Sequence, residues 1–505
     1  MMRTCCSMDP LTIDPRKNGD QITSMFHYML YDGLTHVARD GTIELALADS
    51  YRVLDNGLTY EFTLREAYWS NGDPILAKDF ELSWKRSLDP SFPAPSPHLF
   101  FVFRNSEKAR QGLCPFSEVG IETIAPRKLK VTLEKPCSHF LSLLAFCNFY
   151  PAHPMLEKNL DWIEPSMVPT SGQFKIASWQ KKESICLRKN PLYWNQQNSF
   201  LEQLQIYVQP NAEAALRLFE EGRIDFLSTL FSNLDGEIIK QSMKAGLCRF
   251  ISLGASVFCS FNNDLFPFQN EHIRKAFSFA IDREEIVREI DSPFEIPALE
   301  FLPPLFSRSK KKTSTVRFDP IQARANLQAG MRELGLSGEA DQAKLHQFFQ
   351  TLSLQFEYPR IKTAQLLQKH WNKYLGLQVK LDSVDYQTHL QRLYSASYAM
   401  AIDHWIPYYV DPVAILERFK SKDILKNYPR FENLNYIDTL KLINETNEPM
   451  QRQQLIGEAE KILIEQSPIT PLYHHHYAII SYNENNQISY LLNGAFGLLK
   501  CPSSN

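Results

Sequence analysis

The sequence predicts a mixed α/β fold in which two lobes share one chain. Residues 58–64 alternate between apolar and polar side chains, a period of two that is typical of a strand with one solvated face. Residues 79–84 then suit an amphipathic helix, which Asp89-Pro90 ends. Because 505 residues exceed what one hydrophobic core usually holds, we expect the chain to divide into lobes.

The same two periodicities continue along the chain in mixed order. A helix over residues 214–221 is predicted to end at Gly222, and the helix that contains Trp371 is predicted to end at Gly376. Asn270 can cap a third helix, because its side-chain oxygen accepts hydrogen bonds from free backbone amides. Alternating apolar residues predict further strands at 129–133, 204–208 and 377–381.

The composition excludes several classes of protein. Lysine and arginine number 54 and aspartate and glutamate 57, so a net charge of −3 gives no reason to expect nucleic acid as a partner. The nine cysteines include no CxxC pair, and they define no disulfide framework. No apolar run approaches the ~20 residues of a membrane span.

Motifs of catalysis and cofactor binding are missing from the sequence. It contains no G-x-x-x-x-G-K-[ST], G-x-G-x-x-G, H-E-x-x-H or G-x-S-x-G pattern. We therefore expect a protein that is not an enzyme, with no catalytic residue, no cofactor and no metal.

Two long motifs resemble a known family. The first combines Leu64-Arg65, a Trp-Ser-Asn-Gly-Asp-Pro turn at 69–74 and Ala-Lys-Asp-Phe at 77–80. The second runs from Phe261-Asn262 through Pro267-Phe268 to Ala-Ile-Asp-Arg at 280–283. Both resemble the extracytoplasmic solute-binding proteins of peptide ABC importers, the oligopeptide- and dipeptide-binding family. The resemblance covers nearly the whole chain.

The resemblance implies a type II periplasmic-binding-protein-like fold with an extra subdomain. Lobe I would comprise residues 1–39, 155–258 and a C-terminal return at 476–505. The extra subdomain would span 40–154, and lobe II would span 259–475. The crossings between lobes would act as hinges.

The family's ligand-binding segment corresponds to residues 401–412. Relatives place a Trp there, followed by an Ala-Asp pair whose carboxylate receives the amino terminus of the peptide. We expect Trp405 to form a wall of the cleft, but Tyr408 stands where that Asp is expected. Asp403, Asp411 or Asp32 could substitute for it, or the ligand could lack a free amine. For Asp411, which precedes Pro412, a turn residue is the favoured interpretation. The predicted ligand-binding residues of this segment are Asp403, His404, Trp405, Ile406, Tyr408, Tyr409 and Asp411.

Further ligand contacts are implied by other family segments. These are Asp32, Gly33, Leu34, Asn262, Tyr473 and His475. Three consecutive histidines at 474–476 also raise a metal alternative, in which alternate histidines join His404 as imidazole ligands. We favour the interpretation without metal.

The predicted function is that of a substrate-binding receptor, which captures extended oligopeptides in a cleft between the lobes and delivers them to a membrane permease. Its partners would be the peptide and an ABC permease with separate ATPase subunits, and the receptor would be a monomer. Periplasmic or cell-envelope localisation is expected, although no signal peptide or lipid anchor is visible and cytoplasmic residence is the alternative. The residues also leave open a receptor for a modified peptide or metal chelate, a peptidase, or a chaperone-like holder.

Overall fold

A computed structural model gives the fold of the chain as two compact units. Unit 1 comprises residues 1–251, 408–410 and 477–505, and unit 2 comprises residues 252–407 and 411–476. In the part of the chain that the structure describes, no helix is both long and apolar enough to cross a membrane. The structure describes residues 1–38, 41–157, 165–199, 201–232, 234, 236–290, 292–306, 317–336, 343, 347–446, 448–482, 488–490 and 496–498.

The α-helices are distributed over both units. They are α1 Gln21–Leu30, α2 Ala77–Leu88, α3 Ser106–Arg110, α4 Phe140–Leu144, α5 Ala212–Glu220, α6 Gly236–Lys244, α7 Glu271–Phe279, α8 Arg283–Ile290, α9 Pro320–Glu333, α10 Ile361–Leu375, α11 Tyr386–Tyr394, α12 Val413–Leu416, α13 Leu434–Glu445 and α14 Pro449–Gln466.

The β-strands are interspersed with these helices, some singly and some in runs. They are β1 Met2–Cys6, β2 Thr35–Val37, β3 Ile43–Leu45, β4 Ala48–Leu54, β5 Thr59–Leu64, β6 Ile121–Ala125, β7 Lys128–Thr132, β8 Phe174–Gln180, β9 Ser184–Lys189, β10 Gln203–Val208, β11 Phe226–Ser228, β12 Cys248–Phe261, β13 Glu295–Pro297, β14 Ser353–Glu357, β15 Lys380–Val384, β16 Met400–Trp405, β17 Ile469–Ser481, β18 Ile488–Tyr490 and β19 Phe496–Leu498.

Unit 1 contains two four-stranded sheets. One has the order β1-β10-β9-β8, with β1 parallel to β10 and the other pairs antiparallel. The other has the order β4-β5-β7-β6 and is antiparallel throughout. This second sheet lies inside the range predicted as an extra subdomain. The division of the chain into five segments stays a prediction, and its last segment is described only in part.

The first family motif, which includes residues 69–74 and 77–80, connects strand β5 to helix α2 in unit 1. Trp69 is 1% exposed, and its indole Nε1 donates to Asp79 Oδ2 at 3.2 Å. The same carboxylate oxygen accepts from the Leu76 backbone amide at 2.9 Å and so caps the first turn of α2. Because these side chains are buried and satisfy each other, the motif is a scaffold that fixes α2 next to its sheet.

Glu81 ties the middle of α2 to strand β6. Its carboxylate accepts hydrogen bonds from Lys85 Nζ at 2.9 Å, from Lys78 Nζ at 3.0 Å and from the Thr123 backbone amide at 3.2 Å. Burial alone would raise the pKa of Glu81, but these three hydrogen bonds outweigh it and lower that pKa to about 2.

Glu81 therefore predicts a loss of stability in acid. Because its pKa is lower in the folded chain than its ordinary value of 4.5, its stabilisation is present above that pH and disappears as pH falls toward 2. We expect Glu81→Gln to lower the melting temperature at pH 7 and to make it fall less steeply between pH 4.5 and pH 2. Thermal melts followed by circular dichroism would check this. Glu107→Gln, at an exposed position on α3, is the control. An unchanged pH profile in Glu81→Gln would contradict the assignment.

Unit 2 is built on a mixed sheet with the order β17-β12-β16-β14-β15, and β13 pairs with β17. Strand β16 runs antiparallel to β12 and parallel to β14. Two of the points at which the chain passes between the units fall inside β12 and β17. Helices α7, α8, α9 and α10 cover the sheet with a large apolar core, in which Trp371 is fully buried.

Local capping signals place these helices as predicted. Asn270 caps α7, because its Oδ1 accepts from the Ile273 amide at 3.1 Å. Gly376 ends α10 with φ 71°, a left-handed conformation that favours glycine. Helix α10 begins at Ile361, shortly after β14 ends at Glu357, and β14 runs parallel to β16.

Candidate functional site

Trp405 lies at the end of β16, and its ring is covered by other side chains of unit 2. It is 3% exposed, and its ring centroid lies 4.1 Å from that of Phe258 and 5.2 Å from that of Phe419. The guanidinium carbon of Arg418 stands 4.8 Å over the indole, within cation–π range. Trp405 is therefore a member of the unit 2 core, and its contact with a ligand stays a prediction.

The two residues before Trp405 meet charged partners that the sequence did not indicate. Arg360 precedes α10 and donates from Nη1 to Glu357 Oε2 at 2.6 Å and from Nη2 to His404 Nδ1 at 2.8 Å. Asp403 is 4% exposed, and its Oδ1 lies 3.5 Å from His404 Nδ1 and 3.7 Å from Nε2 of the buried His389. Although burial opposes its charge, these imidazoles hold the pKa of Asp403 well below its usual value.

Tyr408 and Tyr409 belong to unit 1. The ring of Tyr408 lies 5.7 Å from Phe146 and 6.3 Å from His98. Tyr409 is 6% exposed and stacks on His139, with ring centroids 5.1 Å apart and planes 1° apart. In the family that the sequence resembles, a carboxylate occupies the position of Tyr408. Tyr408 instead places an aromatic ring there, next to the rings of Phe146 and His98.

The remaining residues of the predicted segment, Ile406 and Asp411, form hydrogen bonds with other residues of unit 2. The backbone oxygen of half-buried Ile406 accepts from Arg418 Nη2 at 3.2 Å. Asp411 Oδ1 accepts from the Val413 amide at 2.9 Å and from Arg452 Nη2 at 2.8 Å. Asp411 thus begins the turn into α12 and pairs with α14, which agrees with the favoured interpretation of a turn residue.

The histidines of β17 point toward different partners. His475 Nδ1 lies 2.9 Å from Glu295 Oε1 on β13, while the Tyr473 hydroxyl lies 3.3 Å from Thr363 Oγ1 on α10. His474 is 3% exposed, with Nδ1 2.8 Å from Ser256 Oγ, and burial lowers its pKa to about 3. Burial also lowers the pKa of His476. At neutral pH His474 is therefore an uncharged side chain of the sheet.

In unit 1 the predicted contacts Asp32, Gly33 and Leu34 follow α1. Asp32 is 5% exposed, and its Oδ2 accepts from Trp194 Nε1 at 2.8 Å and from the Tyr193 hydroxyl at 3.2 Å. Burial is the main cause of its raised pKa. The guanidinium carbon of Arg65 stands 3.8 Å over Trp194. Asp32 therefore offers a buried carboxylate bonded to two aromatic side chains, and the Arg65 guanidinium covers one of those rings.

Gly33 and Leu34 are surrounded by the protein itself. A Cβ atom on Gly33 would lie 2.6 Å from ring carbons of Tyr150, so only glycine fits without a shift. Leu34 is fully buried, and its backbone oxygen accepts from the Ala46 amide at 2.9 Å. Any ligand contact of these two residues would use backbone atoms.

The side-chain amide of Asn262 forms hydrogen bonds with backbone groups of the protein. Its Nδ2 donates to the backbone oxygens of Ala396 at 2.9 Å and Tyr398 at 3.0 Å, and its Oδ1 accepts from the Asp264 amide at 3.1 Å. This geometry assigns Asn262 a role in holding the loop before β16. Its contact with a ligand stays a prediction.

The structure brings some predicted residues together and adds others. Asp403 and His404 form one cluster with Glu357 and Arg360, which the sequence analysis missed. His389 was missed too, because no motif surrounds it and its partner Asp403 lies on a different element. No sequence motif signals this cluster, because its residues meet only where the parallel neighbours β14 and β16 end side by side.

Comparison with known proteins decides the family. The model of the bacterial extracellular solute-binding proteins, family 5 middle, matches residues 42–427. The chain belongs to this family. The family is one of solute-binding proteins, and its members are not classed by catalysis. The resemblance inferred from the two motifs is thereby confirmed.

Similar proteins support the same fold over the full length of the chain. Oligopeptide-binding protein OppA of Bacillus subtilis (strain 168) is 28% identical over 471 residues, covering 92% of this chain and 86% of that protein. The unliganded open form of MppA, a periplasmic murein tripeptide binding protein, matches with a TM-score of 0.80 at 23% identity, covering 99% of this chain and 95% of MppA. Listeria monocytogenes OppA bound to peptide matches with a TM-score of 0.73 at 25% identity, covering 99% and 97%. The predicted periplasmic-binding-protein-like α/β fold is confirmed.

Proposed function

We propose that this chain is the substrate-binding receptor of an ABC importer and that its ligands are oligopeptides. The observation that carries the proposal is the family match over residues 42–427, joined by a relative that is named for oligopeptide binding. A solved structure of the same fold holds a peptide. A receptor of this kind reads mainly the peptide backbone, which gives broad tolerance for side chains.

The proposal includes partners and location. The receptor acts in the cell envelope, as a monomer, and delivers its peptide to permease subunits with separate ATPase subunits. It performs no chemistry on the peptide. Hydrolysis of bound peptides in a turnover assay would contradict this part of the proposal, and a preference for long unfolded chains over short peptides would favour a holder of unfolded protein.

Recognition of the peptide amino terminus is expected to differ from that of relatives. A buried ammonium needs a carboxylate partner, since it loses hydration on binding. Tyr408 carries none. Asp411 is already paired with Arg452, and Asp403 lies between two imidazoles. Asp32 is buried against Tyr193 and Trp194. These placements support a site that does not require a free amino terminus.

We therefore expect N-acetylated peptides to bind within about tenfold of their free counterparts, or roughly 1.4 kcal/mol. Tyr408→Asp should widen this gap in favour of the free amine, because it restores a carboxylate where relatives have one. Isothermal titration calorimetry with paired peptides would measure both effects.

Tyr408→Phe is the matched control, since it keeps the ring beside Phe146 and His98 and adds no charge. A wild type that rejects acetylated peptides by far more than tenfold would show that another carboxylate has taken the role. Asp32→Asn and then Asp403→Asn would identify it.

A melting screen in which free sugars stabilise the protein and short peptides do not would overturn the proposed function itself.

A further inference from the structure

A small cavity lies beside Trp405 in unit 2. Its walls include Phe258, Phe301 and Trp405, and apart from Ser256 the side chains that line it are apolar. The enclosed volume is about 10 Å³, which is close to the smallest space that holds one water molecule. The cavity therefore keeps its shape only while each wall stays in place.

Phe301 is the wall that the central sheet does not hold. Phe258 lies in β12 and Trp405 in β16, two strands that pair with each other, whereas Phe301 follows β13 and lies outside any strand. The ring centroid of Phe301 is 5.7 Å from that of Phe419, and the Phe419 centroid is 5.2 Å from that of Trp405. The backbone of Phe301 must therefore be fixed by groups other than the strand ladder.

Glu460 of α14 supplies that contact. Its Oε1 accepts a hydrogen bond from the Leu302 amide at 2.8 Å, and its carboxyl group also accepts from the Phe301 amide. Phe301 and Leu302 are both buried. One carboxyl group thus binds two consecutive backbone amides and fixes the residue whose ring lines the cavity.

No cation balances the charge of Glu460. Among the described residues, the charged side chain that acts on it is Glu300, which is another acid, and Glu460 forms no ion pair there. Burial and, more weakly, Glu300 raise the pKa of Glu460 to about 7, although the two amide hydrogen bonds oppose this shift. Glu460 therefore exchanges its proton with solvent near neutral pH.

The direction of the shift says which form of Glu460 holds Phe301. Because the pKa is higher in the folded chain than its ordinary value of 4.5, the protonated form favours the folded arrangement, and this stabilisation is lost as pH rises through about 7. Above that pH the carboxylate gains hydration whenever residues 301–302 move away from it. The released arrangement should then become more populated.

We propose that Glu460 is a positioning residue of the peptide site, which holds Phe301 beside Trp405 while it is protonated and releases it when it is ionised. The inference rests on the proposed function, because it places a bound peptide next to this cavity. A wall that is already in place lowers the cost of ordering the site, so peptide affinity should be higher at pH 6 than at pH 8. His474, which bonds to Ser256 of the lining, stays uncharged over this range, since burial lowers its pKa to about 3.

Hydrogen exchange of the full-length protein without ligand tests the contact itself. After correction for the intrinsic pH dependence of exchange, the segment that contains the Phe301 and Leu302 amides should lose protection by about threefold or more between pH 6 and pH 8. Glu460→Gln should keep this protection constant, because its side-chain oxygen accepts the same hydrogen bonds and does not titrate. Glu458→Gln, at an exposed position of the same helix, is the matched control and should behave as the wild type.

Calorimetry with the tripeptide Ala-Phe-Ala tests the consequence for binding. Wild type and Glu458→Gln should bind it about threefold or more tightly at pH 6 than at pH 8, whereas Glu460→Gln should bind it equally at both. A merely structural role would change stability but leave the pH profiles of wild type and Glu460→Gln the same, and equal profiles would overturn the proposal. If no short peptide binds while the exchange profile appears as expected, the proposed function fails and the hold of Glu460 on Phe301 stands.

Discussion

Replacing Trp405 by alanine is expected to lower the free energy of unfolding by about 3–5 kcal/mol, the cost typical of removing a large buried aromatic side chain. The indole is 3% exposed and packs against Phe258, Phe419 and Tyr428. Its truncation leaves a cavity lined by rigid rings, and it also removes the cation–π contact with Arg418. Because rings relax poorly into a void, most of the loss should be realised.

Chemical denaturation of the variant and the wild type would measure this loss. Tyr358→Ala is the control, since Tyr358 is an aromatic residue of unit 2 that is 72% exposed, and its truncation should cost less than about 0.5 kcal/mol. A loss below about 1 kcal/mol in Trp405→Ala would show that the ring is not a core residue.

Trp405→Phe separates packing from ligand binding. Phenylalanine keeps a ring in the cluster and removes the indole N–H, which has no hydrogen-bond partner among the described residues. If the indole also contacts a peptide, this variant should keep most of the stability and still bind peptide more weakly. An unchanged affinity would leave Trp405 with a structural role alone.

The local elements of the fold could be predicted from the sequence because their signals are local. Strand β5 follows from a period of two, α7 begins at a capping asparagine, and α10 ends at a glycine whose φ is positive. The turn role of Asp411 was also predictable, since the residue precedes proline. The structure agrees, because Asp411 Oδ1 accepts from the Val413 amide.

The environment of the predicted site residues could not be inferred in the same way. The strand period places Ala401, Asp403 and Trp405 on one face of β16, but it does not say what covers that face. His404 meets Arg360 across 44 residues, and His475 meets Glu295 across 180. Such contacts depend on which strands become neighbours, and that information is spread over the whole chain rather than held in one segment.

Replacing Arg283 by methionine is expected to lower the free energy of unfolding by about 3 kcal/mol or more. Arg283 is 2% exposed and donates from Nε to the Pro471 backbone oxygen at 2.7 Å, from Nη1 to that of Ile281 at 3.0 Å and from Nη2 to Thr470 Oγ1 at 2.7 Å. Each buried acceptor left without a donor costs roughly 1–3 kcal/mol. Burial lowers the pKa of Arg283 to about 9, so removing a poorly solvated charge offsets part of this cost.

Arg283→Lys should lose nearly as much stability as Arg283→Met, because one compact ammonium cannot reach three acceptors that a planar guanidinium spans. Arg288→Met on the same helix is the control, since that side chain is 67% exposed and should change stability by less than about 0.5 kcal/mol.

Thr470 and Pro471 lie at the start of β17, the strand that carries Tyr473 and His475. Hydrogen exchange in the Arg283 variants should therefore rise first at the start of β17. Full retention of stability in Arg283→Lys would show that charge rather than the three-point geometry holds this strand in place.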